Sequence, residues 1–407
     1  MKSLTRALLA ATTLLATPAM AAAPADVLGT YSDIAFAKYS DSLETAKTLQ
    51  GAIDKLIAEP TDANLAEARK AWVEARNPYQ QTEAYRFGNA IVDVLSPATD
   101  GFVAENGMTK GAMALMFSPE EADALYAKMG PGQEVSGGSA ANTIAGMAAL
   151  GSECAFIGQV ADDQLGEVFA HDIHAAGIRF DVSARAGQPT TGRCLIFVTP
   201  DGQRTMNTFL GASHYLPAES IDAKLIEDAR YLYLEGYLWD PEEPRAAMRA
   251  AIDIARKAGR KVAFTLSAEF VIDRHRAAFQ ELIDQGLIDV LFANEAEIVF
   301  LTQAADVDSA IAAVSGKVPL VVVTLSERGA LAQAGTERVT VPAQPIEAVV
   351  DTTGAGDLFA AGFLHGQARG KTLEQSLTLG AVCAAEVISH FGARPIADLK
   401  ELARQAL

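Results

Sequence analysis

The stretch "DTTGAGDLFAAGFLHG", residues 351–366, runs from a short polar turn directly into an apolar helix. Gly354, Ala355 and Gly356 stand at the entry to that helix. Their backbone N–H groups gather where the partial positive charge of a helix N-terminus collects, and no bulky side chain obstructs an approaching phosphate. The turn therefore predicts an anion hole. Asp357 closes it with a carboxylate, which is unwelcome beside phosphate unless it takes a proton from an attacking hydroxyl. An acidic residue in a first helical turn also suits the helix dipole, and for an isolated "GAGD" that reading would prevail.

The surroundings decide otherwise. "CAFIGQV" (154–160), "YLYLEGYLW" (231–239), "KVAFTLS" (261–267), "DVLFANE" (289–295) and "PLVVVTLS" (319–326) are short apolar runs rich in aromatic or β-branched residues. Helical stretches such as 241–258 and 273–285 separate them, which is the rhythm of a parallel sheet covered on both faces. "GRCLIFVTPDGQRTMNTF", residues 192–209, breaks the rhythm with period-two alternation around "PDGQ". It predicts a hairpin standing off the main sheet, forming a small β lid together with the stretch from Val94 to Met116. The fold class is thus α/β, a doubly wound, mainly parallel sheet with a β lid.

Three further segments carry polar groups to places where ligands of open α/β sheets bind. "SGGSAANTIAGMAALG" (136–151) sets Gly137 and Gly138 before a helix and Asn142 one turn inside it, suiting close backbone approach to a polyol and an amide hydrogen bond. "NEAEIVFL" (294–301) follows a strand and puts Asn294 and Glu297 just beyond its carboxyl end, where they equally make a helix cap with an acidic first turn. "VVVTLSERGA" (321–330) ends another strand with Thr324, Ser326 and Gly329, open to a nucleotide.

In this order and spacing the segments resemble the ribokinase-like (PfkB) family of sugar and nucleoside kinases, over about residues 88–407, with the lid at about 94–116 and 180–212. "GNAIVD", "SGGSAANTIAG", "DGQRTMNTFLGAS" and "YLEGYLWD" look closest to its bacterial adenosine-kinase-like branch. The resemblance implies ATP and Mg²⁺ as cofactors and a nucleoside or sugar hydroxymethyl group, foremost that of adenosine, as acceptor. It implies Asp357 as catalytic base, Gly354, Ala355 and Gly356 around the transferring phosphoryl, and Arg204 as a lid cation that neutralises developing charge. Asn294 and Glu297 then organise magnesium and phosphate through water, and Thr324, Ser326 and Gly329 face the nucleotide. Asp93, Gly137, Gly138 and Asn142 match positions around the substrate sugar, with Asn89 near the base. Tyr237 and Trp239 are candidates to pack on a nucleobase, or else plain core aromatics.

The beginning of the chain is of another kind. Lys2 and Arg6, the apolar "ALLAATTLLA" and the small residues of "TPAMAAA" form an export signal over residues 1–23, too short to span a bilayer. A helical hairpin is expected over 24–87, with Leu43, Ala46, Leu49, Ile53 and Leu56 on one face and Leu65, Ala68 and Trp72 on the next, broken at Pro60. This stretch resembles the start of imelysin-like periplasmic proteins, which are associated with iron uptake, but lacks their later histidine and glutamate motif, so no iron site is carried over. Export conflicts with kinase chemistry and with Cys154, Cys194 and Cys383, which read as buried thiols of a reducing compartment. The alternatives to a kinase are accordingly an exported fusion with an inactive or merely substrate-binding kinase fold, or an iron-related periplasmic protein.

The net charge of −18, with no basic patch, excludes nucleic acid and anionic membrane surfaces as partners. "HGQARGKTL" lacks a P-loop's first glycine, which is His365 here, and no dinucleotide fingerprint is present. His171 and His174 have no third ligand. The junction "TEAYRF", residues 82–87, places Arg86 where the family has a strand buried on both faces, so this half-strand is expected to be frayed, shifted or displaced toward solvent. From Gly88 the pattern resumes, with Asn89 to Val94 pairing with the sheet and Asp93 at its carboxyl end.

Overall fold

The computed structural model describes residues 47–79, 85–201 and 203–407. The export signal lies outside them, as do Leu43, Ala46 and residues 82–84. The chain divides into two compact units between Gln80 and Gln81. The first is a hairpin of helices 47–58 and Asp62–Tyr79. Ala52, Ala68 and Ala71 are buried between them, with Leu49 and Leu56 alongside. At the turn Thr61 Oγ1 accepts from the Asn64 N–H and Asn64 Nδ2 donates to the Glu59 carbonyl, so the chain reverses on local hydrogen bonds.

The second unit holds two sheets. Its strands are β1 (Tyr85–Phe87), β2 (Ile91–Pro97), β3 (Met113–Met116), β4 (Gln133–Gly137), β5 (Ala155–Ile157), β6 (Gly192–Val198), β7 (Arg204–Phe209), β8 (Tyr231–Glu235), β9 (Lys261–Thr265), β10 (Val290–Asn294), β11 (Leu320–Thr324), β12 (Ala330–Ala334) and β13 (Glu337–Val341). The main sheet has the order β13-β12-β11-β10-β9-β8-β1-β5. Only the β11-β12-β13 edge is antiparallel. Alternation in β8 shows why the central strands are mostly apolar. Leu232 and Leu234 enter one core with helices Glu242–Lys257 and Glu269–Asp284, while Tyr231 and Tyr233 enter the other with helices Ser139–Ala149 and Ala355–Ala368. Among the described residues no single helix is long and apolar enough to cross a membrane.

Two expectations about the junction are corrected. Tyr85–Phe87 is neither frayed nor displaced, because its backbone pairs with β5 on one side and β8 on the other. Phe87 is fully buried, and the Gly88 N–H continues the ladder to the Ile157 carbonyl. Residues 91–97 do not extend this strand. After Gly88 the chain crosses into the second sheet, of order β3-β7-β6-β2-β4, so Asp93 sits in the lid and not at the carboxyl end of the main sheet.

The lid is therefore five-stranded, built on the predicted hairpin β6-β7 and flanked by β2 and β4 as well as β3. One face turns Val94, Leu195, Phe197 and Phe209 into a core shared with Val103 and Ala122 of helices Asp100–Glu105 and Pro119–Tyr126. The other carries Ile91, Asp93, Cys194, Ile196, Met206 and Thr208, which face a cavity.

Gly88 sets how closely helix Ser139–Ala149 approaches β1, since a methyl there would run into Ala140 Cβ. Gly88→Ala should therefore lower stability by about 1–3 kcal/mol through overpacking, read as a fall of several degrees in Tm. An unchanged Tm would show that the helix can back away from the sheet.

Candidate active site

The spatial order of the main sheet reverses at β1: the chain proceeds from β1 outward to β5, then returns to the other side of β1 with β8 and onward. The crevice at the carboxyl ends of β1 and β8 is thus a topological switch point, where open α/β sheets bind ligands. A cavity of about 460 Å³ opens there, between the main sheet and the lid. Asn89, Asp93, Gly138, Asn142, Tyr237, Asn294, Glu297, Thr324, Gly354, Ala355, Gly356 and Asp357 all line it, residues brought together from across the chain.

At its floor Asp357 lies in the first turn of helix Ala355–Ala368. Ser139 Oγ donates to its Oδ1 at 2.6 Å and Asn142 Nδ2 to its Oδ2 at 3.1 Å. These bonds fix the carboxylate in the cavity wall. Gly354, at φ +79°, adopts the left-handed conformation that turns the chain into the helix, and its missing side chain makes room for Ala393. A side chain at Gly356 would point into open space.

Above, the lid face is apolar apart from Asp93, Cys194 and Thr208, whose backbones stand in register across β2, β6 and β7. Burial lifts the Asp93 carboxyl to about 7, opposed by Arg394 and Arg204 and reinforced by Asp357 and Asp351. Gly137 does not line the cavity. It backs Asp93, whose carboxyl lies where its Cβ would be, and Gly138, at φ +96°, closes on the Asn89 carbonyl. Asn89 Nδ2 donates to Glu235 Oε1 at 2.8 Å, which leaves Asn89 Oδ1 buried with no partner among the described residues. Asn142 Oδ1 is orphaned in the same way. Two unpaired acceptors at one cavity wall call for a ligand that brings O–H or N–H donors.

Several expected placements differ. Arg204 shares the face of Met206 and Thr208 by strand alternation, yet it does not line the cavity. Its Nη2 lies 2.5 Å from Asp351 Oδ2 in an ion pair with both side chains buried. Asp351 also accepts from the N–H groups of Thr353 and Gly392, so its charge draws the guanidinium to the loop before the anion hole. Ser326 and Gly329 also lie off the cavity, since the chain turns away after Thr324 into the β11-β12 hairpin, with Gly329 at φ +93°. Trp239 is fully buried edge-on to Phe264 and Phe279, a core aromatic, whereas Tyr237 lines the cavity with its hydroxyl on the Ser267 carbonyl. Asn294 and Glu297 form the reciprocal capping box that the sequence also allowed, and both still face the cavity. All three cysteines are buried, and none of them forms a disulfide among the described residues. Among the described residues no group of three or more His, Cys, Asp or Glu side chains is placed to hold a metal ion, and His171 and His174 belong to none.

Glu235, Ser139, Asp351 and Arg394 were not singled out in the sequence. Glu235 carried a signal, being the one carboxylate at the end of the apolar run "YLYLE". Arg394, whose guanidinium holds the Ser136 and Ala141 carbonyls behind the Gly137–Gly138 turn, carried none.

Known proteins share this fold. The profile of the pfkB family carbohydrate kinases matches residues 112–399. The crystal structure of adenosine kinase from Sinorhizobium meliloti is 46% identical, with a TM-score of 0.76 over 80% of this chain and 100% of that one. A probable sugar kinase from Rhizobium etli is 45% identical, with a TM-score of 0.76 over 80% and 98%. A fructokinase from Klebsiella pneumoniae is 26% identical over 67% of this chain and 91% of its own. The imelysin profile matches residues 35–150, overlapping the start of the kinase match.

Burial raises Glu235 and Glu297, like Asp93, to about 7. A carboxyl raised in the folded state holds its proton more tightly there than in the unfolded chain. Its contribution to stability is full below the ordinary carboxylate range and is lost as pH rises through about 7. Urea denaturation should therefore show stability falling from about pH 4 to about pH 7, and Asp93→Asn should flatten that slope by up to one proton, about 1.4 kcal/mol per pH unit. An identical slope in the variant would mean that Asp93 titrates normally.

Proposed function

Because the chain belongs to the pfkB family of carbohydrate kinases, we propose that this cavity takes adenosine and transfers the γ-phosphoryl of ATP to its 5′-hydroxymethyl group. The observation that carries this reading is the convergence of Asp357, held by Ser139 and Asn142, with the two orphaned carboxamide oxygens of Asn89 and Asn142. Ribose hydroxyls supply the donors those oxygens lack. The apolar lid face, with Ile91, Ile196, Met206 and Leu210, suits a nucleobase, while a bare hexose offers little apolar surface to bury there. The likeness to an adenosine kinase at 46% identity supports the same choice. The fructokinase and sugar-kinase relatives make a sugar the competing acceptor.

In this reading the acceptor hydroxyl gives its proton to Asp357 as its oxygen attacks the γ-phosphorus, the bond to the β-phosphate oxygen breaks, and ADP leaves. The N–H groups around Gly354–Gly356 hold the charge on the transferring phosphoryl. Thr324 faces the nucleotide. Glu297, a buried carboxylate with no cationic partner among the described residues, is a hard oxygen donor that fits magnesium, and with Asn294 it would hold the ion through water. When bound, magnesium supplies neutralisation of phosphate charge. Arg204 would have to leave Asp351 to take part.

Asp357→Asn should lower kcat by at least about a thousandfold with Tm and ATP binding nearly unchanged, since one atom changes and shape does not. A variant that keeps about a tenth of wild-type kcat would overturn the general-base role.

Adenosine should show a higher kcat/KM than ribose or fructose in a coupled assay of ADP release, with AMP as product. The reverse order would keep the kinase and replace its substrate.

A further inference from the structure

Glu235 ends β8 at the switch point and is fully buried. Its Oε1 accepts from the Asn89 backbone N–H at 2.6 Å and from Asn89 Nδ2 at 2.8 Å. Its Oε2 accepts from the Ala140 N–H at 2.8 Å. Ala140 lies in the first turn of helix Ser139–Ala149, whose N-cap is Gly138 and has no side chain to offer, so a carboxylate from a distant strand does the capping. The two oxygens thus serve two partners with different tasks. Glu235 claims the Nδ2 of Asn89 and leaves its Oδ1 without a partner among the described residues. The helix delivers Ser139 and Asn142 to Asp357.

We propose that Glu235 is a positioning residue that sets the approach of the acceptor hydroxyl to Asp357, by holding Asn89 on one carboxylate oxygen and helix Ser139–Ala149 on the other. The proposal rests on the kinase reading given above. A glutamine cannot replace this carboxylate. Its amide must turn its NH₂ toward either Asn89 or Ala140, and both present donors, so one of the two attachments is lost whichever way it faces. Displacement of an attacking group by a fraction of an ångström is enough to slow a reaction that depends on alignment.

The test uses the full chain with Glu235→Gln, Asn89→Ala and the double variant. Adenosine affinity is measured by calorimetry, kcat and KM by ADP release, and folding by thermal melting. Glu235→Gln is expected to lower kcat by about tenfold or more and to weaken adenosine binding by about fivefold. In the double variant the binding loss should be smaller than the sum of the two single losses, because Glu235 acts on the acceptor in part through Asn89. A purely structural Glu235 would lower Tm and the active fraction while leaving KM and the Asn89 coupling untouched, and that result overturns the proposal. So does a kcat and adenosine affinity within about twofold of wild type. Should Glu235→Gln fail to fold, Glu235→Asp, which keeps the charge but draws both oxygens back by a methylene, must show the same pattern of losses. If the wild type releases no ADP with adenosine, ribose or fructose, the kinase reading fails. The binding coupling between positions 89 and 235 then still decides the role of Glu235.

Discussion

Helix Ser139–Ala149 lies between β1 and helix Ala355–Ala368, and the absence of side chains permits both approaches. Gly88 admits Ala140 on the sheet side. On the other, a methyl at Gly146 would stand 2.5 Å from Leu358 Cδ1 and 2.8 Å from Ala361 Cβ. Were either approach relaxed, Ser139 and Asn142 would draw away from Asp357, and Ala140 from Glu235. The polar geometry of the cavity is thus a consequence of apolar packing, in which interiors as dense as crystals leave no slack to absorb an extra methyl.

A second constraint joins the lid to the body. Asp351 is nearly inaccessible and holds Arg204 from β7, Thr353 at the anion turn and Gly392 near the C-terminal end of the fold. Removing a single partner from such a buried pair leaves an uncompensated charge, which costs about 3–5 kcal/mol. The lid edge and the turn before helix Ala355–Ala368 therefore share one electrostatic fastening.

Much of this was legible in the chain, and the failures have separable physical causes. The doubly wound sheet was legible because strands buried on both faces must be apolar throughout, as β8 to β11 are. The Gly354–Asp357 turn was legible because glycine beside a helix start has few other uses. Tyr85–Phe87 was misjudged by weighing one basic side chain above backbone pairing on two edges. Asp93 was assigned to the wrong sheet because nothing local marks where the chain crosses between sheets at Gly88–Ala90. Arg204 was expected as a lid cation, and its ion pair was not legible because its partner Asp351 is far away in sequence. Glu235 and Arg394 act through main-chain groups of distant segments, and such contacts leave no periodicity to read.

The lid assigns its two faces to different tasks. Alternate positions along β2, β6 and β7 line the cavity, and the intervening ones, such as Val94, Leu195 and Phe197, pack on the lid's own helices. Ladder hydrogen bonds use only backbone, so they are indifferent to which side chain stands at Ile91, Ile196, Met206 or Thr208. Descendants of such a chain can exchange those residues, and with them the molecules they accept, while inheriting an intact fold. A change of diet in this lineage needs no change of architecture.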